Sequence, residues 1–256
     1  MAINPNEVFT TSNGFKIPYK IISERRRSAR ASLGQKELSI RIPSHARRKW
    51  KEEKIVEFLK WADQVASKKP ISLIRFYPFE YGAGDIITLY DKEYSIASSL
   101  RENSKFHLRI VDNTFIIPES ALNMNSKKLI HRSISNILKS RYLPIFIQKV
   151  DEINQRTLKA DYSSAHMNHT SSKWGSCDSK GRIWLSTRLL CMPEQIHEYI
   201  IIHELAHRIE GNHSRRFWSI VANHCPNYKL HMKWLKNNGG LCDFYPERVK
   251  QMLLAL

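Results

Sequence analysis

Alternating apolar and polar positions dominate the first part of the chain and predict short β-strands there. The alternation runs through residues 15–43 and returns over 71–118, where hairpins and turns are expected. Between these stretches, over about 45–68, apolar residues recur every three or four positions, as they do along one face of an α-helix. Ser44 stands just before this segment and is expected to cap the helix. The first part of the chain is therefore predicted to be β-rich with one helix.

Helical spacing dominates the second part of the chain. A long helical segment is expected from Ser126 to about Lys159, and Pro144 is expected to kink or restart it. Two strands joined by the turn sequence "DSKG" are expected next. Three more helices should follow, and they begin near Pro193, Ser214 and Pro226.

These patterns together predict an α+β fold in two parts. We expect residues 1–125 to form a β-rich N-terminal region with one helix, and residues 126–256 to form a domain of helices beside a short sheet. The chain has 256 residues, of which 42% are hydrophobic, so it is long enough and apolar enough for a substantial buried core.

Neither a secretory signal nor a membrane span is expected. Residues 1–15 lack a basic start followed by an apolar run, and no apolar stretch approaches the roughly 20 residues that cross a bilayer. The four cysteines contain no CxxC pair, which argues against a zinc ribbon or a redox motif. The sequence therefore predicts a cytoplasmic protein without a membrane partner.

The chain is strongly basic, with a formal net charge of +17, which favours polyanionic partners such as nucleic acid or nucleotides. Its first 70 residues hold 16 Lys and Arg against 7 Asp and Glu. A cluster between two predicted strands is the candidate site for phosphate or nucleic acid, and it comprises Arg25, Arg26, Arg27 and Arg30. The alternative is a solvated basic face without a ligand.

The segment "IIHELAHRIEGNH" carries the candidate chemistry. His203 and His207 lie four residues apart, so a helix places both imidazoles on one face, one turn apart. Glu204 flanks the same position, where it can hydrogen-bond a bound water. Gly211 is expected to end the helix and turn the chain back, which brings His213 to the same point as a third ligand.

Three imidazoles at one point predict a catalytic zinc site with one ion per chain. Such a ligand set leaves a fourth position open for water. Because neutral imidazoles leave the full charge on the ion, the bound water is strongly acidified. The alternative is a helix with solvated histidines, which the apolar residues around the pair disfavour.

The sequence "KWGSC" precedes the metal helix and supplies candidate substrate-binding residues. In zincins the strand before that helix forms an exposed sheet edge that can pair with an extended peptide. Lys173, Trp174 and Gly175 would then border the cleft, and the glycine would permit close approach of the backbone. The alternative is a packed tryptophan at a strand end, followed by a Gly-Ser turn.

The stretches "KWGSCDSKGRIWLSTRLLCMPEQIHEYIIIHELAHRIEGNHSRRFW" and "CPNYKLHMKWL" resemble the YgjP-like metallopeptidase family, whose relatives are the SprT-like and WLM zincins. "RRRSARASL", "LSIRIP" and "RYLPIF" extend the resemblance over nearly the whole chain. It implies a zincin-like C-terminal domain with catalytic Glu204 and zinc ligands His203, His207 and His213. Lys173 departs from the family pattern, because members often have Arg there.

Three functions remain open as hypotheses. The leading one is a zinc-dependent metallopeptidase that uses water activated by Glu204. The resemblance also implies a nucleoside triphosphate (UTP) pyrophosphatase, an activity assigned within the family. A third is a basic DNA-binding module that recruits the hydrolase to nucleic acid, as the SprT-like and WLM relatives suggest. The candidates for stabilising a developing oxyanion are Tyr228, Arg188 and His224.

Overall fold

The structure is a computed structural model, and it describes residues 7–34, 36–89, 92–100, 108–123 and 126–256. Two compact units are present. The first is formed by the described residues up to Phe79 together with Gln251–Leu256, and the second is Glu80–Lys250. The division falls between 79 and 80, whereas the sequence suggested one between 125 and 126, and residue 125 lies outside the described residues.

A four-stranded sheet and one long helix form the first unit. The strands are β1 (Glu7–Thr10), β2 (Lys16–Glu24), β3 (Arg30–Leu33) and β4 (Leu38–Pro43), in the order β1-β2-β4-β3. Strands β2 and β4 run parallel, and the two outer pairs are antiparallel. Helix α1 (Arg48–Lys68) packs against β4. Alternate strand residues such as Ile17, Leu38 and Ile40 are fully buried, as the pattern of the sequence predicts.

The start of α1 differs from the expectation. The helix begins at Arg48 after Arg47 and has no side-chain cap, so the predicted cap at Ser44 is wrong. A turn precedes the helix instead, in which the backbone N–H of Ala46 donates to the carbonyl of Pro43 at 3.3 Å. A 3₁₀-helix at Pro70–Phe76 then occupies a stretch where strands and turns were expected.

The second unit opens with another four-stranded sheet. Its strands are β5 (Ile86–Leu89), β6 (Lys92–Ser99), β7 (Arg109–Val111) and β8 (Thr114–Pro118), in the order β5-β6-β8-β7. The order and the strand directions repeat those of the first sheet, although the sequence shows no repeat. Strands β6 and β8 contact the short helix α2 (Glu119–Asn123), and β5 contacts a 3₁₀-helix at Thr187–Cys191. These contacts explain why this sheet belongs to the second unit.

A long helix and a three-stranded sheet follow. Helix α3 (Lys127–Arg156) continues through Pro144 without a restart. Strands β9 (Ser164–Asn168), β10 (Gly175–Cys177) and β11 (Arg182–Ser186) form a sheet in the order β10-β11-β9, with β9 parallel and β10 antiparallel to β11. The sequence predicted two strands here, and the structure has three because residues 169–174 leave the sheet between β9 and β10.

Four helices complete the chain: α4 (Glu194–Ala206), α5 (Arg215–His224), α6 (Tyr228–Asn238) and α7 (Glu247–Leu254). Helix α4 packs against α3, α5, α6 and β10, and it is buried on nearly every side. Small sheets combined with these helices confirm the predicted α+β class. Among the described residues, no helix is both long and apolar enough to cross a membrane.

Candidate metal centre

Three histidines come together at the end of α4. His203 lies in its last turn, His207 follows its final residue, and the chain then turns so that His213 faces both. The Nε2 atoms of His203 and His213 are 3.1 Å apart, and one nitrogen from each of the three rings lies within 4.8 Å of the others. For Zn–N bonds of 2.0–2.1 Å, tetrahedral ligands lie about 3.3 Å apart. The histidine spacing therefore fits a metal ion of this size.

The turn between His207 and His213 does not depend on a glycine C-cap. Helix α4 ends at Ala206, and the N–H groups of Ile209 and Glu210 bond to the Ala206 carbonyl. Gly211 is not in the left-handed region, and a Cβ there would meet nothing within 4 Å. The expectation that Gly211 ends the helix is therefore wrong, although the predicted reversal of the chain is present.

An aromatic platform holds the three imidazoles in place. The ring of Phe217 lies 4.9, 4.5 and 4.8 Å from the rings of His203, His207 and His213. Phe217 is completely buried, and its N–H donates to the Ser214 hydroxyl that caps α5, so the start of α5 fixes its position. Sequence analysis did not identify Phe217, because nothing in the linear pattern shows that α5 packs under the metal helix.

The environment keeps the ligands in the form that binds metal. Burial lowers the pKa of His203 to about 4, with further lowering from His207 and His213. Burial also lowers the pKa of His207, and its Nδ1 lies 3.3 Å from the carbonyl of Glu210. A proton held on that Nδ1 leaves Nε2 free for a metal ion. The buried Nδ1 of His203 has no hydrogen-bond partner among the described residues, so no hydrogen bond at this atom orients the ring.

Glu204 lies beside the histidines in a buried position. Burial raises its pKa to about 8, against the opposing effects of Lys173 and of a hydrogen bond from the backbone of Cys177. Its side chain is pressed against Gly175, where an added Cβ would come within 2.7 Å of Cγ and Oε1. The group that lies close to Gly175 in the structure is therefore the glutamate side chain of the motif, and the close approach of a peptide backbone stays a prediction.

One cavity of about 580 Å³ contains these groups. The helical side is lined by the three histidines, Glu204, Tyr199 and Arg208, and the strand side by Lys173, Trp174 and β10. The structure therefore brings the predicted residues Lys173, Trp174 and Gly175 to the candidate ligands. Tyr199 and Arg208 were not anticipated, although both lie on or just after the helix that the motif defines.

A buried arginine stacks on the ring of Trp174 and holds it in place. The Arg188 guanidinium carbon lies 3.9 Å from the centre of the Trp174 ring. Arg188 also donates to the carbonyls of Cys242 and Gly239, both at 2.8 Å, and of Ser171 at 3.2 Å. With its donors so engaged, Arg188 has a structural role and is not a candidate for stabilising an oxyanion. Among the described residues that line the cavity, neither Tyr228 nor His224 occurs.

The basic cluster belongs to the first unit. Arg26 pairs with Glu24 at 2.8 Å, and its Nε donates to the carbonyl of Ser28. The other members are exposed, and they are Arg25, Arg27 and Arg30. Their role in phosphate or nucleic-acid binding stays a prediction.

A helix with an HExxH motif, a third histidine after a turn and a neighbouring edge strand are the features of a metallopeptidase. The family model of the YgjP-like metallopeptidase domain matches residues 27–238. The chain belongs to this family, which confirms the resemblance found in the sequence.

Other comparisons add little to the family assignment. No curated protein gives a match. Among solved structures, the chain is similar to the metallopeptidase zymogen jannalysin of Methanocaldococcus jannaschii, at 22% identity over 33% of this chain and 89% of that one, with a TM-score of 0.29.

Proposed function

We propose that the chain is a zinc-dependent peptidase in which His203, His207 and His213 hold one zinc ion. The observation that carries the proposal is the convergence of these nitrogens within 4.8 Å, in a cavity that also receives Glu204. Three protein ligands leave the fourth position open, as a catalytic zinc site requires. Membership of a metallopeptidase family supports this function.

Glu204 is the proposed general base. When bound, a zinc ion would supply a Lewis acid and would lower the pKa of water at the site. The carboxylate of Glu204 is then placed to take a proton from the attacking water and to deliver it to the leaving amine. Burial raises the pKa of this carboxyl, and a cation bound beside it would favour the ionised form that accepts the proton.

An extended peptide is the substrate that the cleft favours. Strand β10 pairs with β11 on one side, and no strand among the described residues pairs with its other side. All three residues of β10 line the cavity. A peptide that adds to this edge by main-chain hydrogen bonds would run past the histidines.

Two variants test the proposal together. Elemental analysis of the untagged protein should find about one zinc in the three-histidine site, and this zinc should be lost in His213→Ala. Glu204→Gln should keep that zinc and lose cleavage of casein or of a quenched peptide library. Zinc retained in full by His213→Ala would refute the ligand set, and full peptidase activity in Glu204→Gln would refute the general base.

The cavity also contains two cationic side chains that could bind an anionic substrate. Lys173 and Arg208 both line it, and either could neutralise a phosphate. UTP hydrolysis is therefore the second candidate function. Release of pyrophosphate that disappears in Glu204→Gln would establish it, and peptide cleavage without UTP turnover would exclude it.

The exposed arginines of the first unit support a separate proposal of DNA binding. If Arg25, Arg27 and Arg30 bind phosphates, the affinity for duplex DNA should fall steeply as salt is raised. The triple substitution to Gln should weaken binding and reduce the salt dependence. Binding that does not respond to salt would argue against this role.

A further inference from the structure

A second group of metal-binding side chains lies in the same unit, on three separate elements. His131 is on α3, His169 follows β9, and Asp243 lies in the loop after α6. One potential ligand atom from each lies within 4.8 Å of the others. These residues belong neither to the HExxH segment nor to the residues lining the cavity.

The two imidazoles present the same ring nitrogen to one carboxylate. Nε2 of His131 lies 2.8 Å from Oδ1 of Asp243, and Nε2 of His169 lies 3.3 Å from Oδ1 and 3.4 Å from Oδ2. The two rings meet edge to face, with their centres 4.7 Å apart. Tetrahedral zinc ligands lie about 3.3 Å apart for Zn–N bonds of 2.0–2.1 Å. Small movements would therefore let all three side chains bind one ion.

The Asp243 carboxylate is available to such an ion. Arg188 is the nearest fixed cation, but its Nε lies 3.6 Å from Oδ2, while its shorter hydrogen bonds go to backbone carbonyls. The backbone N–H of Phe244 donates to Oδ1 at 2.9 Å and fixes the orientation of the carboxylate.

The surroundings allow an ion to enter from one side. Asp243 is buried, whereas the side chains of His131 and His169 are 19% and 29% exposed to solvent. Solvent therefore reaches the cluster from the His169 side, where it can supply a further ligand. Two imidazoles and one carboxylate suit borderline divalent ions such as zinc better than magnesium or calcium.

We propose that His131, His169 and Asp243 form a second, structural site for a divalent transition metal ion such as zinc. The ion would join α3 and the loop after α6 to the segment that leads from β9 into β10. That segment carries Ser171, whose carbonyl bonds to Arg188, and Trp174, against which Arg188 stacks. The second site would thus stiffen one wall of the cavity without contacting the substrate.

Zinc stoichiometry of the untagged full chain tests the proposal. After chelation and dialysis, equilibrium dialysis against zinc should give two bound ions per wild-type chain. His169→Gln and His213→Ala should each retain one, and the double variant should retain none. His166→Gln is the matched control, because His166 lies on β9, bonds to Ser164 and stacks on Trp184 outside the cluster, so it should retain two.

The outcomes separate this site from the three-histidine centre. One ion in the wild type that is lost in His213→Ala would overturn the second site and leave the first intact. Two ions in His169→Gln would also overturn it. His169 is partly exposed, so its substitution should leave the protein folded, and circular dichroism checks this. One ion in His213→Ala that is lost on adding His169→Gln would support the second site even if the peptidase proposal failed.

Discussion

The carboxyl side chain of Glu204 lies directly against the backbone of Gly175, with no room for a methyl group between them. An added Cβ would approach Cγ and Oε1 of Glu204 to 2.7 Å and Cδ to 2.9 Å. Strand β10 therefore restricts the position of this carboxylate by steric contact. A glycine in a strand often marks such a close approach.

Gly175→Ala should displace Glu204 and lower the peptidase activity while leaving the zinc site occupied. A displacement of about 1 Å of a catalytic group can cost about 10²-fold in rate. The measurement is kcat/KM on a peptide substrate together with zinc content. Gly211→Ala is the control, since Gly211 also lines the cavity but has nothing within 4 Å of an added Cβ. Equal activity in the two variants would contradict the proposal that Gly175 fixes the position of Glu204.

Phe217→Leu should weaken zinc binding at the three-histidine site. The Phe217 ring lies within 5 Å of all three imidazoles, so the smaller side chain should loosen their orientation. Changes to groups that support metal ligands reduce affinity by about 10–100-fold. Competition with a chromophoric chelator measures the affinity. Val221→Ala, also fully buried on α5, provides a control for lost packing, and its affinity should change much less.

Arg188→Met should destabilise the protein strongly. The methionine would fill much of the space but would leave three carbonyls without their donor and would remove the cation beside Asp243, at a cost of about 3–5 kcal/mol. The free energy of unfolding in urea is the measurement. Arg182→Met makes the comparison, because Arg182 pairs with Asp178 at a half-exposed position and should cost at most about 1 kcal/mol. Similar losses in both variants would show that the Arg188 network contributes little.

His197 should make stability depend on pH in the acidic range. Burial lowers its pKa from 6.5 to about 4 in the folded protein, so the unfolded chain takes up the proton first as the pH falls. The contribution of His197 to the free energy of unfolding is fully present above about pH 6.5 and is lost as the pH falls towards 4. Its size is about 3 kcal/mol. Urea unfolding of metal-free wild type and His197→Gln across this range measures it. Parallel curves for the two proteins would rule out this contribution.

Features that depend on short stretches of chain were predictable from the sequence. The spacing of His203, His207 and Glu204 sets their common position because one helix and its C-cap carry them, and a short turn suffices to return His213. Local signals were less reliable for boundaries. Pro144 lies inside an unbroken helix, where tertiary packing outweighs its preference, and Ser44 caps nothing.

Features that depend on contacts between distant segments were not predictable. The platform under the histidines needs Phe217 of α5, and the second cluster joins His131 to Asp243, which are 112 positions apart. Arg188 was a candidate for stabilising an oxyanion because a guanidinium group carries a positive charge. Only the packing shows that its guanidinium stacks on the ring of Trp174.

Helix α4 is enclosed by α3, α5, α6 and β10, and its apolar residues, such as Ile201, Ile202 and Leu205, are fully buried. Its folding free energy therefore comes from the hydrophobic core, and the histidines at its end depend on that core for their placement. An ion at the proposed three-histidine site should therefore be exchangeable, because the core that positions its ligands does not depend on it. We expect that the site can be emptied by chelation and refilled with cobalt or cadmium, which would make its coordination visible to optical and NMR spectroscopy.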